Sequence, residues 1–248
     1  MRSQSFLTGQ VGRAGRFWRR LAVLLVVALA GYCGWIAWLG RQAGPASHCR
    51  GTVVDGSLQF GQRLPYSGEN FRAYSLLGYL SGRTFMHSTV RTAVLASYDS
   101  VAKQRPELRF LYAESSWPWG GRLRPHKTHA NGTSVDFHVP VRNRDGSVGE
   151  LPVSVFNQLG YAVSFDNAGR SGDLQIDFEA MALHLAALDR AARDQGISIR
   201  RVIFEGRLQP RLFATAAGAR LAGRLSFTGQ AWVPHDQHYH VDFNVPCS

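Results

Sequence analysis

The sequence contains few cysteines, and their positions argue against one kind of site. There are three in 248 residues: Cys33 lies in a long apolar run, while Cys49 and Cys247 lie near the two ends of the remaining chain. No two of them are closely spaced, which argues against a metal site built from cysteine. If the chain after the apolar run is exported to an oxidising compartment, we expect Cys49 and Cys247 to form a disulfide.

Acidic residues are also scarce, with 17 Asp and Glu against 28 Lys and Arg. Five arginines and no acidic residue precede residue 21, so the remaining 23 basic and 17 acidic residues leave a net charge of +6. This excess is spread out, and no basic helix with interleaved aromatic residues is present, which argues against nucleic acid as a partner. A moderate positive charge suits an anionic polymer or a membrane surface, and equally an ordinary solvated surface.

Only one long hydrophobic run is present. Leu21–Gly40 contains no charged residue over twenty positions, and about 20 apolar residues are needed to span a bilayer as a helix. The preceding arginines predict a cytoplasmic tail at 1–20, a transmembrane anchor at 21–40 and an exported remainder. A cleaved signal peptide ending at Ala28–Ala30 is the alternative, but the run stays apolar to Leu39, which favours an anchor. A linker at 41–50 and one domain at 51–248 follow.

The exported part alternates between helical and extended patterns. Helices are predicted at Ser88–Gln104 and Asp177–Gln195, each capped by its first residue, with a shorter helix at Leu212–Ala222. Strands are predicted at Leu108–Ala113, Thr133–Val139, Ile199–Glu205 and Tyr239–Val245. This order predicts an α+β domain in which helices flank a mainly antiparallel sheet.

Histidines concentrate in two distant segments. His235, His238 and His240 fall within six positions, and because side chains two apart on a strand share a face, His238 and His240 are expected side by side. The other segment, residues 125–137, lies about a hundred residues earlier and contains His126, His129 and Asp136. Two clusters of this kind predict a metal site assembled from distant parts of the chain.

The spacing within the earlier segment favours a catalytic rather than a structural site. His129 and Asp136 are seven positions apart with Gly132 between them, which fits a histidine in a turn and an acid on the strand that follows. With one imidazole of the His-x-His pair they supply two nitrogens and one carboxylate, the donor set of a catalytic zinc site with an open position. Zinc lowers the pKa of water to about 7, and a nearby base must take the proton.

The acids Asp236 and Asp242 flank the His-x-His strand. They are candidates for hydrogen-bond acceptors of ligand imidazoles, or are solvated surface acids. The remaining histidines are interpreted as ordinary surface or core residues: His48, His87, His138 and His184.

Two motifs resemble those of a known zinc peptidase superfamily. H-x-x-G-x-S-x-D at His129–Asp136 and H-x-H at His238–His240 are similar to motifs shared by lysostaphin-type peptidases, D-Ala-D-Ala peptidases and the hedgehog signalling domain. The leading His126, the preceding Gly120–Leu123 and the H-x-x-H-x-H-V ending resemble the penicillin-insensitive murein endopeptidases. The likeness extends loosely over residues 51–246, with the two histidine motifs as its specific part.

The resemblance implies roles for individual residues. Three would bind zinc on the sheet: His129, Asp136 and His240. Three would assist catalysis: His238 as the base that activates the water, and His126 and His235 as groups that line the site and steady the oxyanion or the substrate.

The substrate implied by the resemblance is cell-wall peptidoglycan, cut at a D-amino-acid peptide bond of the cross-link. The chain would then be a single-pass protein of the cytoplasmic membrane with its catalytic domain in the periplasm. A D-Ala-D-Ala carboxypeptidase of the same superfamily and a non-catalytic zinc-containing module that binds peptidoglycan are the alternatives. Two features depart from the family: its members are usually free periplasmic proteins, and Thr128 stands where serine is more usual.

Overall fold

The computed structural model describes residues 5–41, 44–229 and 234–248. The beginning of the predicted tail (1–4), part of the predicted linker (42–43) and residues 230–233, just before the second histidine cluster, lie outside it. The chain forms two compact units, Met1–Arg41 and Gln42–Ser248.

The first unit is one helix, α1, at Ser5–Arg41. Its segment Gly15–Arg41 is 27 residues long and is apolar enough to cross a membrane. The predicted apolar span therefore lies on a continuous helix.

The second unit contains four helices and fourteen strands among its described residues. The helices are α2 (Leu76–Leu80), α3 (Ser88–Gln104), α4 (Phe178–Asp194) and α5 (Gln209–Phe213). The first seven strands are β1 (His48–Gly51), β2 (Gly56–Gln59), β3 (Gln62–Arg63), β4 (Phe71–Ala73), β5 (Phe85–Met86), β6 (Phe110–Tyr112) and β7 (Ser134–His138). The other seven are β8 (Val141–Arg142), β9 (Val148–Gly149), β10 (Arg170–Ser171), β11 (Leu174–Ile176), β12 (Ser198–Ile203), β13 (Phe227–Thr228) and β14 (His238–Asn244).

The central sheet has six strands in the order β13-β12-β14-β7-β6-β4. Its inner strands β12, β14, β7 and β6 pair antiparallel, while β13 on β12 and β4 on β6 pair parallel. The α+β class is confirmed, and the sheet is mixed because its two edge strands are parallel to their neighbours.

Both long predicted helices are present, but one predicted cap is wrong. Asp177 caps α4, accepting a hydrogen bond from the Ala180 amide at 3.0 Å. The cap of α3 is His87, whose Nδ1 accepts from the Thr89 amide at 3.3 Å. Ser88 is the first residue of the helix rather than its cap, and its hydroxyl accepts from the Ser47 amide at 2.9 Å.

The predicted helix at Leu212–Ala222 is also wrong in its bounds. Helix α5 ends at Phe213, and a separate 3₁₀ turn spans Gly218–Arg220. Between them, the Thr215 hydroxyl donates to the Leu212 carbonyl at 2.8 Å and accepts from the Gly218 amide at 2.9 Å. This side-chain bridge replaces the backbone bonds that would continue the helix.

Helices α3 and α4 pack against one face of the central sheet. Alternate residues of β7 and β14 point into this core: Val135, Phe137, Tyr239, Val241 and Phe243. Burying each large apolar side chain contributes about 1.5–3 kcal/mol, which fixes the strand register. The intervening residues, including the predicted ligands on these strands, therefore lie on the opposite face.

Cys49 and Cys247 form a disulfide, with their Cα atoms 4.8 Å apart across a separation of 198 residues. The Gly51 amide donates to the Ser248 carbonyl at 3.1 Å, and the Ser248 amide donates to the Cys49 carbonyl at 3.1 Å. The predicted pairing is confirmed, and β1, which begins within the predicted linker, is tied to the segment that follows β14.

Candidate metal centre

The centre begins with a cross-strand pair. In the antiparallel pairing of β7 and β14, His240 lies directly opposite Asp136. Residues directly opposite each other share a face of the sheet, so this register brings two segments a hundred residues apart into contact. His240 Nδ1 lies 2.8 Å from Oδ1 of Asp136.

His129 enters from the turn that precedes β7. Its φ of 76° is uncommon for a residue other than glycine, and its side chain is fully buried. Three positions later, Gly132 has a φ of 75°, and a Cβ there would meet a methyl of Leu58 at 2.6 Å. The predicted histidine turn, glycine bend and acid-bearing strand are present, and they bring His129 Nε2 to 3.3 Å from Oδ1 of Asp136.

Asp136 lies at the middle of four histidines. In addition to His129 and His240 at Oδ1, the Nδ1 atom of His126 lies 3.6 Å from Oδ2, and Nε2 of His238 lies 3.9 Å from it. Burial by itself would raise the pKa of Asp136, but the surrounding imidazoles lower it well below its ordinary value. Asp136 is therefore ionised and supplies the negative charge of the centre.

These residues fit a metal ion. One ligand atom each from His126, His129 and Asp136 lies within 4.8 Å of the other two. Nδ1 of the buried His129 has no hydrogen-bond partner among the described residues, and its Nε2, although 3.3 Å from Oδ1 of Asp136, is not aligned for a hydrogen bond. Burial also lowers the pKa of His129, outweighing the charge of Asp136, so the ring is neutral, the form that ligates metals. A buried imidazole without hydrogen bonds is costly unless another group, such as a metal ion, occupies it.

The second histidine nitrogen can come from either of two residues. His126 and His240 both turn Nδ1 towards Asp136, His126 at Oδ2 and His240 at Oδ1. The sequence predicts only His240 as a ligand and His126 as a catalytic group. The structure brings both of them next to His129 and Asp136, and the ligand set of His129, Asp136 and His240 stays a prediction.

Asp242 supports His240 from the far side of the ring. Its Oδ1 lies 2.7 Å from Nε2 of His240 and accepts from the Ser134 hydroxyl at 2.6 Å. Arg201 donates through Nε to Oδ2 at 2.5 Å. Burial lowers the pKa of His240, but Asp242 and Asp136 outweigh it and raise that pKa to about 9. Of the two acids predicted as hydrogen-bond acceptors for a ligand imidazole, Asp242 is the one that contacts His240.

Asp236, the other flagged acid, contacts no site imidazole among the described residues. Its Oδ2 accepts from the Phe165 amide at 2.9 Å and from Nη2 of Arg207 at 2.9 Å. This carboxylate therefore holds the loop around Phe165 against the segment that precedes β14.

Glu114 was missed from the sequence. It directly follows the predicted strand Leu108–Ala113, is buried, and its Oε2 lies 2.5 Å from Nε2 of His126. Arg83 donates to the same carboxylate through Nε at 2.5 Å and Nη2 at 2.7 Å. Burial would raise the pKa of Glu114, but His126 and Arg83 lower it to about 2. An acid at the end of a buried strand was the available signal, since such an acid needs a partner.

Tyr161 was also missed, and no spacing pattern connects it to the histidine motifs. Its hydroxyl donates to Oδ2 of Asp136 at 3.0 Å. Its ring packs edge-on against His126 and His238, with centroids 5.5 and 5.0 Å away. The residue follows the irregular 3₁₀ stretch Val155–Gly160, so only the tertiary fold brings it to the centre.

The two remaining predicted site residues lie beside the centre. His238 is buried, and burial lowers its pKa well below the ordinary value despite the charge of Asp136. Its Nδ1 has no hydrogen-bond partner among the described residues. The ring of His235 lies 4.4 Å from that of His238, centroid to centroid. His238 is therefore neutral at pH 7.

A cavity of about 1050 Å³ opens onto this group of residues. His126, His235, His238 and His240 all line it. A volume of this order admits a ligand larger than a single amino acid.

No protein-family model matches the chain, and no curated protein matches it. The likeness to zinc peptidases therefore rests on the residues of the two motifs. Three of the other histidines have no place among the candidate ligands: His184 is fully buried on α4, His138 bonds to backbone carbonyls and His87 caps α3.

Proposed function

We propose that this chain is a membrane-anchored zinc metalloendopeptidase that hydrolyses D-amino-acid peptide cross-links of cell-wall peptidoglycan. The observation that carries the proposal is the convergence of His129, Asp136 and His240. His240 and a neutral His238 lie in the wall of a large cavity. The resemblance of the two histidine motifs to murein endopeptidases supplies the substrate class.

The donor set of two imidazoles and one carboxylate is that of catalytic zinc sites. His129 would bind through Nε2, His240 through Nδ1 and Asp136 through a carboxylate oxygen, the atoms that already face one another. A bound zinc ion supplies Lewis-acid polarisation of a carbonyl and activation of a water molecule.

His238 would take the proton released in hydrolysis. Its ring lines the cavity, and burial keeps it neutral at pH 7. His126 differs, because Glu114 and Asp136 raise its pKa against the effect of burial. Both nitrogens of His126 already face carboxylates, so its positive charge, rather than a free N–H, would steady a developing oxyanion.

The first unit and the disulfide support the proposed location. The helix Gly15–Arg41 would anchor the chain in the cytoplasmic membrane, with the second unit in the periplasm. A disulfide between Cys49 and Cys247 fits that oxidising compartment.

The test uses the full-length protein in detergent, with its metal counted, incubated with purified cross-linked muropeptide dimers. We expect one equivalent of zinc and conversion of dimers to monomers that stops when the metal is removed by a chelator. Products are read by mass spectrometry.

Three variants separate metal binding from proton transfer. His240→Ala and Asp136→Ala are expected to lose both metal and hydrolysis. His238→Ala is expected to keep the metal and to lose about a hundredfold or more in turnover, the usual contribution of a general base. His48→Ala, at an exposed histidine, is the matched control and should behave as wild type. Near wild-type turnover of His238→Ala would contradict the role of His238.

Two other results would replace the proposal. Cleavage of pentapeptide monomers but not of dimers would identify a D-Ala-D-Ala carboxypeptidase. Stoichiometric zinc with neither activity would identify a zinc-containing module that binds peptidoglycan.

A further inference from the structure

A second, smaller cavity lies beside the metal centre, and its lining is basic. It has a volume of about 330 Å³ and is lined by Val54, Arg122, Arg124, His126, Lys127 and Thr128. Four of these residues also line the larger cavity: Val54, His126, Lys127 and Thr128. The two cavities therefore share a wall, and no carboxylate of residues 5–41, 44–229 or 234–248 lines the smaller one.

The loop that forms this basic cavity is held in place by contacts to its backbone and by one buried side chain. Leu123 is fully buried, which holds the loop against the domain between two exposed arginines. The indole N–H of Trp117 donates to the Arg122 carbonyl at 3.2 Å, and Nη2 of Arg83 donates to the Arg124 carbonyl at 2.9 Å. The main chain at both arginines is thus held while their side chains extend outwards.

The guanidinium groups of Arg122 and Arg124 have no partner within the described part of the chain. Among the residues that the structure describes, neither group makes a hydrogen bond or an ion pair, whereas nearby Arg83 is bound by Glu114 through two nitrogens. Lys127 adds a third basic side chain, in the wall shared with the metal centre. The loop backbone is held in place, the two guanidinium groups are unpaired among the described residues, and the concave lining is basic. These three features favour an anionic ligand.

We propose that Arg122, Arg124 and Lys127 form a subsite that binds a free carboxylate of the peptide substrate while the scissile bond lies at the metal centre. The inference rests on the proposed function and adds a specificity-determining contact to it. A planar guanidinium binds a carboxylate through two parallel hydrogen bonds, which makes arginine suited to this recognition. The shared wall allows one substrate to occupy both cavities.

The test compares the wild type with Arg122→Gln/Arg124→Gln, as full-length proteins in detergent. Two ligands are used: a cross-linked muropeptide dimer with its carboxylates free, and the same dimer with them amidated. The KM of hydrolysis is measured on the active protein. The dissociation constant is measured on chelator-treated protein, so that this constant does not depend on turnover.

For the free-carboxylate dimer we expect the double variant to raise KM and the dissociation constant about tenfold, with kcat little changed. The difference should shrink at high salt because exposed charges are screened. For the amidated dimer, variant and wild type should be alike. The matched control, Arg190→Gln/Arg220→Gln, removes the same charge from exposed positions on α4 and in the Gly218–Arg220 turn and should leave both constants unchanged.

Three results would overturn the subsite. In the first, the double variant binds both dimers equally more weakly than the wild type does, and in the second it binds neither of them more weakly. In the third, the control variant weakens binding as much as the double variant does, which would indicate an effect of net charge alone. If the wild type hydrolyses neither dimer yet binds the free-carboxylate form selectively through these arginines, the proposed function fails and the subsite stands.

Discussion

Asp242 determines how His240 is presented. It lies two residues further along β14, on the same face, and takes the ring nitrogen that points away from Asp136. Ser134 and Arg201 in turn hold Asp242 from the two neighbouring strands. An acceptor at this position fixes both the tautomer and the orientation of a ligand imidazole.

Asp242→Ala is therefore expected to weaken metal binding about tenfold to a hundredfold without abolishing it. Affinity is measured by competition with a chromogenic chelator. Asp173→Ala, at an exposed acid that pairs with Arg144, is the control. Unchanged affinity in Asp242→Ala would show that His240 does not depend on this carboxylate, or does not ligate.

Glu114 illustrates a residue whose role only its neighbours reveal. It pairs with both Arg83 and His126 in a largely buried environment and holds His126 beside Asp136. The sequence places it after a strand but gives no indication of which cations reach it. Both partners come from other segments of the chain, and for this reason pattern analysis did not find it.

At the level of elements, the central sheet separates the hydrophobic core on one face from the candidate metal centre on the other. The register of β7 on β14 places Asp136 and His240 on one face and Phe137 and Tyr239 on the other. A slip of one residue in the pairing would move His240 into the helix-covered core, where its charge could not be satisfied. The apolar residues of these strands thus fix the geometry of the metal centre.

The packing of α4 on the sheet contains a buried titratable group. His184 stacks on Tyr98 with centroids 4.8 Å apart, and its Nδ1 lies 2.7 Å from the Tyr239 hydroxyl. Its Nε2 lies 3.2 Å from the Ser97 hydroxyl, so the ionisable groups around it are tyrosines. Burial lowers the pKa of His184 to about 3.

This lowered pKa predicts a pH-dependent stability. Between about pH 6.5 and pH 3 the unfolded chain binds a proton at His184 that the folded protein does not, so the free energy of unfolding falls as the pH falls. From pH 7 to pH 5 the loss from this residue is about 2 kcal/mol. Urea unfolding of His184→Gln should show a pH dependence weaker by that amount. Parallel pH profiles for variant and wild type would contradict the assignment.

At the scale of the whole molecule, the disulfide closes nearly the entire second unit into one loop. It joins residues separated by 198 positions, next to the backbone pairing of Gly51 with Ser248. Cross-links across long loops restrict the unfolded chain most.

Cys49→Ala/Cys247→Ala is expected to lower the free energy of unfolding by about 2–5 kcal/mol while leaving the metal centre assembled. Denaturant unfolding with a parallel metal count tests this. Cys33→Ala, which removes the free thiol in α1, is the matched control. Loss of metal at full retention of fold would show that the disulfide also positions the centre.

Local patterns along the chain were enough to predict the long helices, the apolar span, the cysteine pair and the strands that carry the histidines. These follow from local periodicity, from capping residues such as Asp177, and from the small number of cysteines. The three-dimensional fold was needed to show which histidine opposes Asp136, that Tyr161 and Glu114 join the candidate centre, and that Asp242 rather than Asp236 contacts His240. Those contacts depend on sheet register and on long-range packing, which are set by the energy of the whole core and not by any single segment.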